Sequence, residues 1–189
     1  STRKESSAAS DVYKRQRYIQ LRDVNEVDSS NLIPATRKFT ELDTAARALI
    51  KKADTLFVAT TSDLQESDKG GPDISHRGGM PGFIRIDGNT LTIPDFNGNR
   101  YFNTLGNMVV EPRAAILLID FASGDLLHLQ GRTEILWQSE EAAALTGAER
   151  LWRFHIERGW HKSNAIPLRW TLRERAPTTE RTGIWAEAH

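Results

Sequence analysis

Residues 83–94 read FIRIDGNTLTIP, from Phe83 to Pro94. Apolar and β-branched residues flank an Asp87-Gly88-Asn89 triplet, and that composition is a strong hairpin signal. It predicts a strand over 83–86, a tight reversal, and a second strand over 90–94. Working outward, the same short-strand rhythm continues on both sides. Upstream, 74–77 reads as a strand ending at the Gly78-Gly79 break. Residues 55–61 (TLFVATT) form another, and 64–72 reads as a charged, Gly-containing loop between them. Downstream, 103–110 suits a short helix ended before Pro112. Residues 114–121 (AAILLIDF) read as a buried strand, and Ser123-Gly124-Asp125 turns into 126–130 and on to Trp137.

The outer segments follow the same logic. Ser139 is placed to cap an Ala-rich helix through Thr146. Trp152, Phe154 and Ile156 alternate with Arg153, His155 and Glu157, the period of a half-buried strand. Residues 168–172 suit a last strand. Ahead of the hairpin, Leu42, Ala45, Ala46, Leu49, Ile50 and Ala53 share one helical face, and Thr40 with Asp43 three residues on predicts a capping box. Residues 17–38 read as a linker broken at Asn31–Pro34. Residues 1–16 are polar and aperiodic, lack an initiator Met, and read as an artefactual or disordered tail. Many short strands with marginal helices predict a mainly β (α+β) domain, a β-barrel with accessory helices, over 39–175, followed by a C-terminal tail over 176–189.

Composition narrows the chemistry. Among 189 residues there are 25 Lys plus Arg against 25 Asp plus Glu, so no overall field draws the chain to nucleic acid or membrane. There is no cysteine, which removes disulfides, thiol catalysis and Cys-based metal sites and fits a cytoplasmic protein. His128, His155, His161 and His189 lack ligand spacing, so no metal site is expected and they read as solvated or structural. Arg150, Arg153, Arg158 and Lys162 read as a solvated face.

The densest chemical signal is DISHRGGMPG, residues 73–82. Ser75, His76 and Arg77 are consecutive, and glycines follow that let backbone approach a ligand. Arginine's planar fork suits phosphate oxygens. Two readings stand: an anion site at a strand end, or a tight turn with a structural Arg ion pair. A second cluster, PDFNGNRYF at 94–102, offers Asn99 and Arg100, or a plain hairpin at Asn97-Gly98.

SHRGGMPGF, TLTIPDFNGNRYFNTLGN, EPRAAILLIDF and GDLLHLQGRTEI occur here in the order and spacing of the pyridoxamine 5'-phosphate oxidase-related family. The chain resembles that family from Phe39 to Trp137, with a weaker echo at Pro167–Trp170. The resemblance implies a split β-barrel and FMN held at the interface of a homodimer. It implies that Ser75, His76 and Arg77 grip the flavin phosphate with Asn99 and Arg100. It places Gln130 on a strand facing the flavin, and Arg169 and Trp170 near its ring. Tyr18-Ile19-Gln20 resembles the end of an upstream half in longer relatives, so 17–38 is read as the end of such a half.

Asn99-Arg100 stands where the authentic oxidases carry a basic pair, and Glu111 stands where Asn usually precedes Pro. The oxidases' C-terminal substrate signature is not legible. The expected function is therefore an FMN-dependent oxidoreductase acting on an unknown small molecule, with NAD(P)H as candidate reductant. The alternative is a non-catalytic flavin- or haem-binding or dimerisation module. No residue is assigned as catalytic acid or base.

Overall fold

The computed structural model describes residues 17–62, 71–97 and 103–186. Its elements are β1 (Leu21–Glu26), β2 (Ala35–Phe39), α1 (Thr44–Lys52), β3 (Thr55–Thr60), β4 (Asp73–Gly78), β5 (Arg85–Asp87), β6 (Thr90–Phe96), α2 (Asn103–Val110), β7 (Arg113–Asp120), β8 (Asp125–Leu136), α3 (Glu140–Ala144), β9 (Ala148–Ser163) and β10 (Leu168–Glu174). The expected tail over 1–16, most of the 64–72 loop, Asn99, Arg100 and His189 lie outside the described residues.

Eight strands form one antiparallel sheet in the order β4-β3-β7-β8-β9-β6-β5, with β2 added on β9. The long β9 organises it. One edge of β9 pairs with β8, while the other is shared by β6 and β2. The sheet curls far enough that Arg77 of β4 meets Asp95 of β6 by side chain, although the two strands are not hydrogen-bonded neighbours. The result is a split β-barrel with marginal helices. Trp152, Phe154, Leu91, Ile93, Leu56 and Leu127 fill its interior, each fully buried. A β-bulge in β9, where Glu157 is left over opposite the Gln130–Gly131 step, bends β9 against β8. Gly131 must be glycine, because a Cβ would lie 2.0 Å from the His155 carbonyl oxygen.

The helices seal the barrel. Leu42, Ala46, Leu49, Ile50 and Ala53 are buried as their spacing predicts, while Ala45 is exposed. The cap differs from expectation: Asp43, not Thr40, begins α1, its carboxylate accepting from the Ala46 amide at 2.8 Å. Ser139 caps α3 as expected, though that helix ends at Ala144. The first hairpin strand is also displaced, to Arg85–Asp87, because Phe83 and Ile84 enter the core from a turn.

The 17–38 stretch departs most from its linker reading. It carries β1 and β2, and Tyr18 and Gln20 are buried. Tyr18 donates to the Asn97 carbonyl at 2.6 Å. Gln20 donates to Thr179 Oγ1 at 2.9 Å and accepts from the Ala176 amide at 3.0 Å. The C-terminal stretch is likewise built in. Thr179 is fully buried and Trp185 donates to the Phe83 carbonyl at 2.9 Å. β1 pairs with β10 in a separate two-stranded sheet. Backbone groups taken out of water need partners, and these two ends of the chain supply them to each other. No helix among the described residues is long and apolar enough to cross a membrane.

Candidate functional site

β-strand alternation decides where the residues of the Ser75-His76-Arg77 run go. Ser75 and Arg77 face inward, and His76 faces outward. Thr104, at the start of α2, donates to Asp73 Oδ2 at 2.6 Å, and its hydroxyl oxygen lies 2.9 Å from Ser75 Oγ. Arg77 Nη1 donates to Asp95 Oδ1, with the two side chains only 4% and 1% exposed. The structural ion pair is therefore the reading the geometry supports for Arg77, and its charge is neutralised inside the barrel. Arg150 Nε approaches the same carboxylate at 3.7 Å. Burial pushes the Asp95 carboxyl up despite both cations. Arg77 Nε is buried and lacks a partner among the described residues.

His76 packs edge-on against Phe57 at 5.7 Å between ring centroids. Burial lowers its pKa to about 4; Asp54 opposes the shift, and Arg22 and Arg77 reinforce it. This imidazole is neutral at pH 7.

The outer face of the sheet holds an open trough of about 310 Å³. Two cross-strand rows run through it, and all their members but His76 and Arg158 line it. In one, His76, Phe57, Leu117, His128 and Trp160 stand side by side on β4, β3, β7, β8 and β9. In the next, Ile74, Ala59, Ala115, Gln130 and Arg158 follow the same strands. The two alanines make a low floor between taller neighbours. Gln130 lines the cavity. Its Oε1 accepts from Arg158 Nε at 2.8 Å, and its amide Nε2 has no partner among the described residues. His128 also lines the trough, and its Nε2 is buried without a hydrogen-bond partner. Burial, and then Lys162, lower its pKa, which favours the neutral ring.

Arg169 and Trp170 sit apart from both places. Arg169 Nη1 donates to the Ile166 and Leu168 carbonyls, each at 2.8 Å, against the turn at Gly124. Trp170 stands edge-on to Phe121 at 5.5 Å. Within one chain, then, the expected residues divide between the interior end of β4, the outer trough, and the small β1–β10 sheet.

Sequence reasoning missed His128, Arg158, Trp160 and Lys162. The alternation of Trp152, Phe154 and Ile156 puts even positions inside. Past the bulge Gln130 pairs with Arg158 and Gly131 with Ile156, leaving Glu157 over. One extra residue reverses the phase. Gly159 and His161 then face in, while Arg158, Trp160 and Lys162 face out. The Arg-x-Trp-x-Lys spacing was the available signal.

The curved sheet and its site residues can be set beside known proteins. No curated protein matches the sequence. Among solved structures, HupZ from Group A Streptococcus is 17% identical with a TM-score of 0.48, covering 62% of this chain and 91% of that one. A candidate pyridoxamine 5'-phosphate oxidase from Lactobacillus delbrueckii is 16% identical with a TM-score of 0.48, covering 64% and 94%. A FAD-binding protein from Mesorhizobium loti is 13% identical with a TM-score of 0.42, covering 67% and 97%. The sequence profile described as pyridoxamine 5'-phosphate oxidase matches residues 42–173, from the entry to α1 through nearly all of β10. The chain belongs to the pyridoxamine 5'-phosphate oxidase family.

Proposed function

We propose that the protein is an FMN-binding oxidoreductase that works as a homodimer on a small molecule. The trough is the observation that carries this reading. Its floor of Ala59 and Ala115 and its walls of Phe57 and Trp160 suit a flat conjugated ring. Gln130 Nε2 and the buried, partnerless Nε2 of His128 are polar groups suited to the ring's edge. A buried donor or acceptor without a partner costs about 1–3 kcal/mol, so a ligand that satisfies one gains affinity. FMN, when bound, supplies the hydride and electron chemistry. The chain's own residues bind it, orient it and exclude water. On this reading the phosphate lies with Asn99 and Arg100, as the family resemblance implies, since Ser75 and Arg77 face the barrel interior and Arg77 is paired with Asp95.

Exposed apolar surface supports the dimer part of this reading. Ile74 is 73% exposed beside the trough, and Val109 and Val110 of α2 are 61% and 68% exposed. A second barrel laid there covers apolar surface and closes the trough. Purification followed by an absorption spectrum tests the reading, together with identification of the released cofactor and light scattering. The expected result is FMN bound to a dimer and reducible by NAD(P)H. A protein that neither carries nor takes up flavin, or that shows a haem spectrum, overturns it; a flavin-loaded monomer overturns the dimer.

A further inference from the structure

Tyr18 joins the amino-terminal stretch to the turn that follows β6. Its side chain is buried, and its phenol donates to the Asn97 carbonyl at 2.6 Å, across 79 positions of chain. The ring leans on Phe96 at 5.7 Å between centroids. The Asn97 amide donates in turn to the Gly147 carbonyl at 2.9 Å. Asn97 is exposed, yet both of its backbone groups are held by distant parts of the chain. Burial pushes the phenol's pKa up, with Arg17 opposing and Asp95 and Glu149 adding to the shift, so the group stays protonated and donates. Tyr18 is itself fixed. Its carbonyl accepts from Gln20 Nε2 at 3.0 Å, and that amide also donates to Thr179 Oγ1 at 2.9 Å. A Cβ at Gly78 would collide with the same carbonyl, so glycine lets the end of β4 close on it. Three places meet at this one residue: the end of β4 beside Arg77, the turn two residues past Asp95, and the C-terminal stretch. A phenylalanine would bury the same ring; what the hydroxyl adds is the hold on Asn97. Asn99 and Arg100 are the second and third residues after Asn97.

We propose that Tyr18 is a positioning residue for the cofactor phosphate: its hydroxyl, by holding the Asn97 carbonyl, sets where β6 hands the chain on to Asn99 and Arg100. The proposal rests on the flavin reading and adds to it a residue from the amino-terminal stretch that acts only through the turn. Donors held in place before a ligand arrives lose less free energy to ordering when it binds. Riboflavin lacks the phosphate and does not draw on this turn. Comparison of the two ligands therefore separates positioning from stability.

Fluorescence titration of FMN and of riboflavin into the cofactor-free full chain and its Tyr18→Phe variant reads the effect. Tyr18→Phe keeps the ring against Phe96 and removes only the hydroxyl. It should weaken FMN about fivefold to tenfold, the scale of one hydrogen bond, and change riboflavin by no more than about twofold. Trp185→Phe is the control, since it removes a long-range hydrogen bond of 2.9 Å to the Phe83 carbonyl, away from Asn97. It should leave the ratio of the two affinities unchanged. Hydrogen exchange at the Asn97 amide, followed without ligand, should quicken about fivefold in Tyr18→Phe and stay as it is in Trp185→Phe. Equal losses of FMN and riboflavin in Tyr18→Phe make the residue merely structural and overturn the proposal. A ratio that Trp185→Phe shifts as far, or an Asn97 amide that exchanges no faster in Tyr18→Phe, overturns it too. A protein that takes up neither ligand overturns the flavin reading; faster exchange at Asn97 in that protein still supports the hold of Tyr18 on the turn.

Discussion

Arg77 of β4 and Asp95 of β6 form an ion pair inside the barrel, bridging two strands that share no backbone ladder. The pair ties one edge strand of the split barrel to the interior of its other half. Breaking a buried pair from one side leaves a charge without compensation, which costs more than the pair contributes intact. Asp95→Ala should therefore destabilise by about 3–5 kcal/mol in urea unfolding, and the double change Arg77→Met with Asp95→Leu should recover most of that loss. Flavin binding reads the same pair from another side. Arg77→Ala should weaken FMN and riboflavin alike, through the fold. A loss confined to FMN would show that Arg77 leaves Asp95 for the phosphate.

His76 gives the protein an acid-sensitive contribution. Its folded pKa is about 4, below the ordinary histidine value of 6.5, chiefly through burial. The unfolded chain therefore binds more protons between those values, so stability is lost as pH falls through that window. The loss should be on the order of 3 kcal/mol across it. His76→Gln should flatten the dependence between pH 6.5 and 4 in denaturant titrations. An unchanged slope would mean that other groups carry it.

The start of α1 separates two candidate caps. Asp43 accepts from the Ala46 amide at 2.8 Å and from Arg37 Nε at 2.8 Å. Asp43→Ala should cost about 1–2 kcal/mol, while Thr40→Ala should change stability by no more than about 0.5 kcal/mol. Thermal unfolding of the two variants decides; equal effects would restore Thr40 as a cap.

The first strand is structural. Tyr18 and Gln20 are buried, and Arg22 pairs with Asp54 and lies 3.8 Å from the Phe121 ring centroid. Asp54 also accepts from Arg175 at 3.2 Å. A chain begun at Val27 should melt roughly 10 °C or more below one begun at Arg17, since several kcal/mol are lost and each shifts the midpoint by about 2–4 °C. Matching midpoints would return this segment to the role of a linker.

Sequence pattern determined much of this architecture. The hairpin around Gly88, the buried runs in β3 and β7, and the apolar face of α1 follow from local periodicity and turn chemistry, which act over a few residues. The profile match that shows the family also rests on order and spacing along the chain. The tertiary structure decided the rest. Ser75, His76 and Arg77 are adjacent in sequence, yet strand alternation sends them to opposite sides of β4. Arg77 is neutralised by Asp95, 18 positions away. The 17–38 stretch lacks strong periodicity because its strands are held by long-range partners, β2 by β9 and β1 by β10. The trough was hidden for a third reason. One bulged residue in β9 reverses which side chains face out, and five strands must stand side by side before Ala59 and Ala115 become a floor. Local sequence sets what each strand can be; register between distant strands sets which side chains meet.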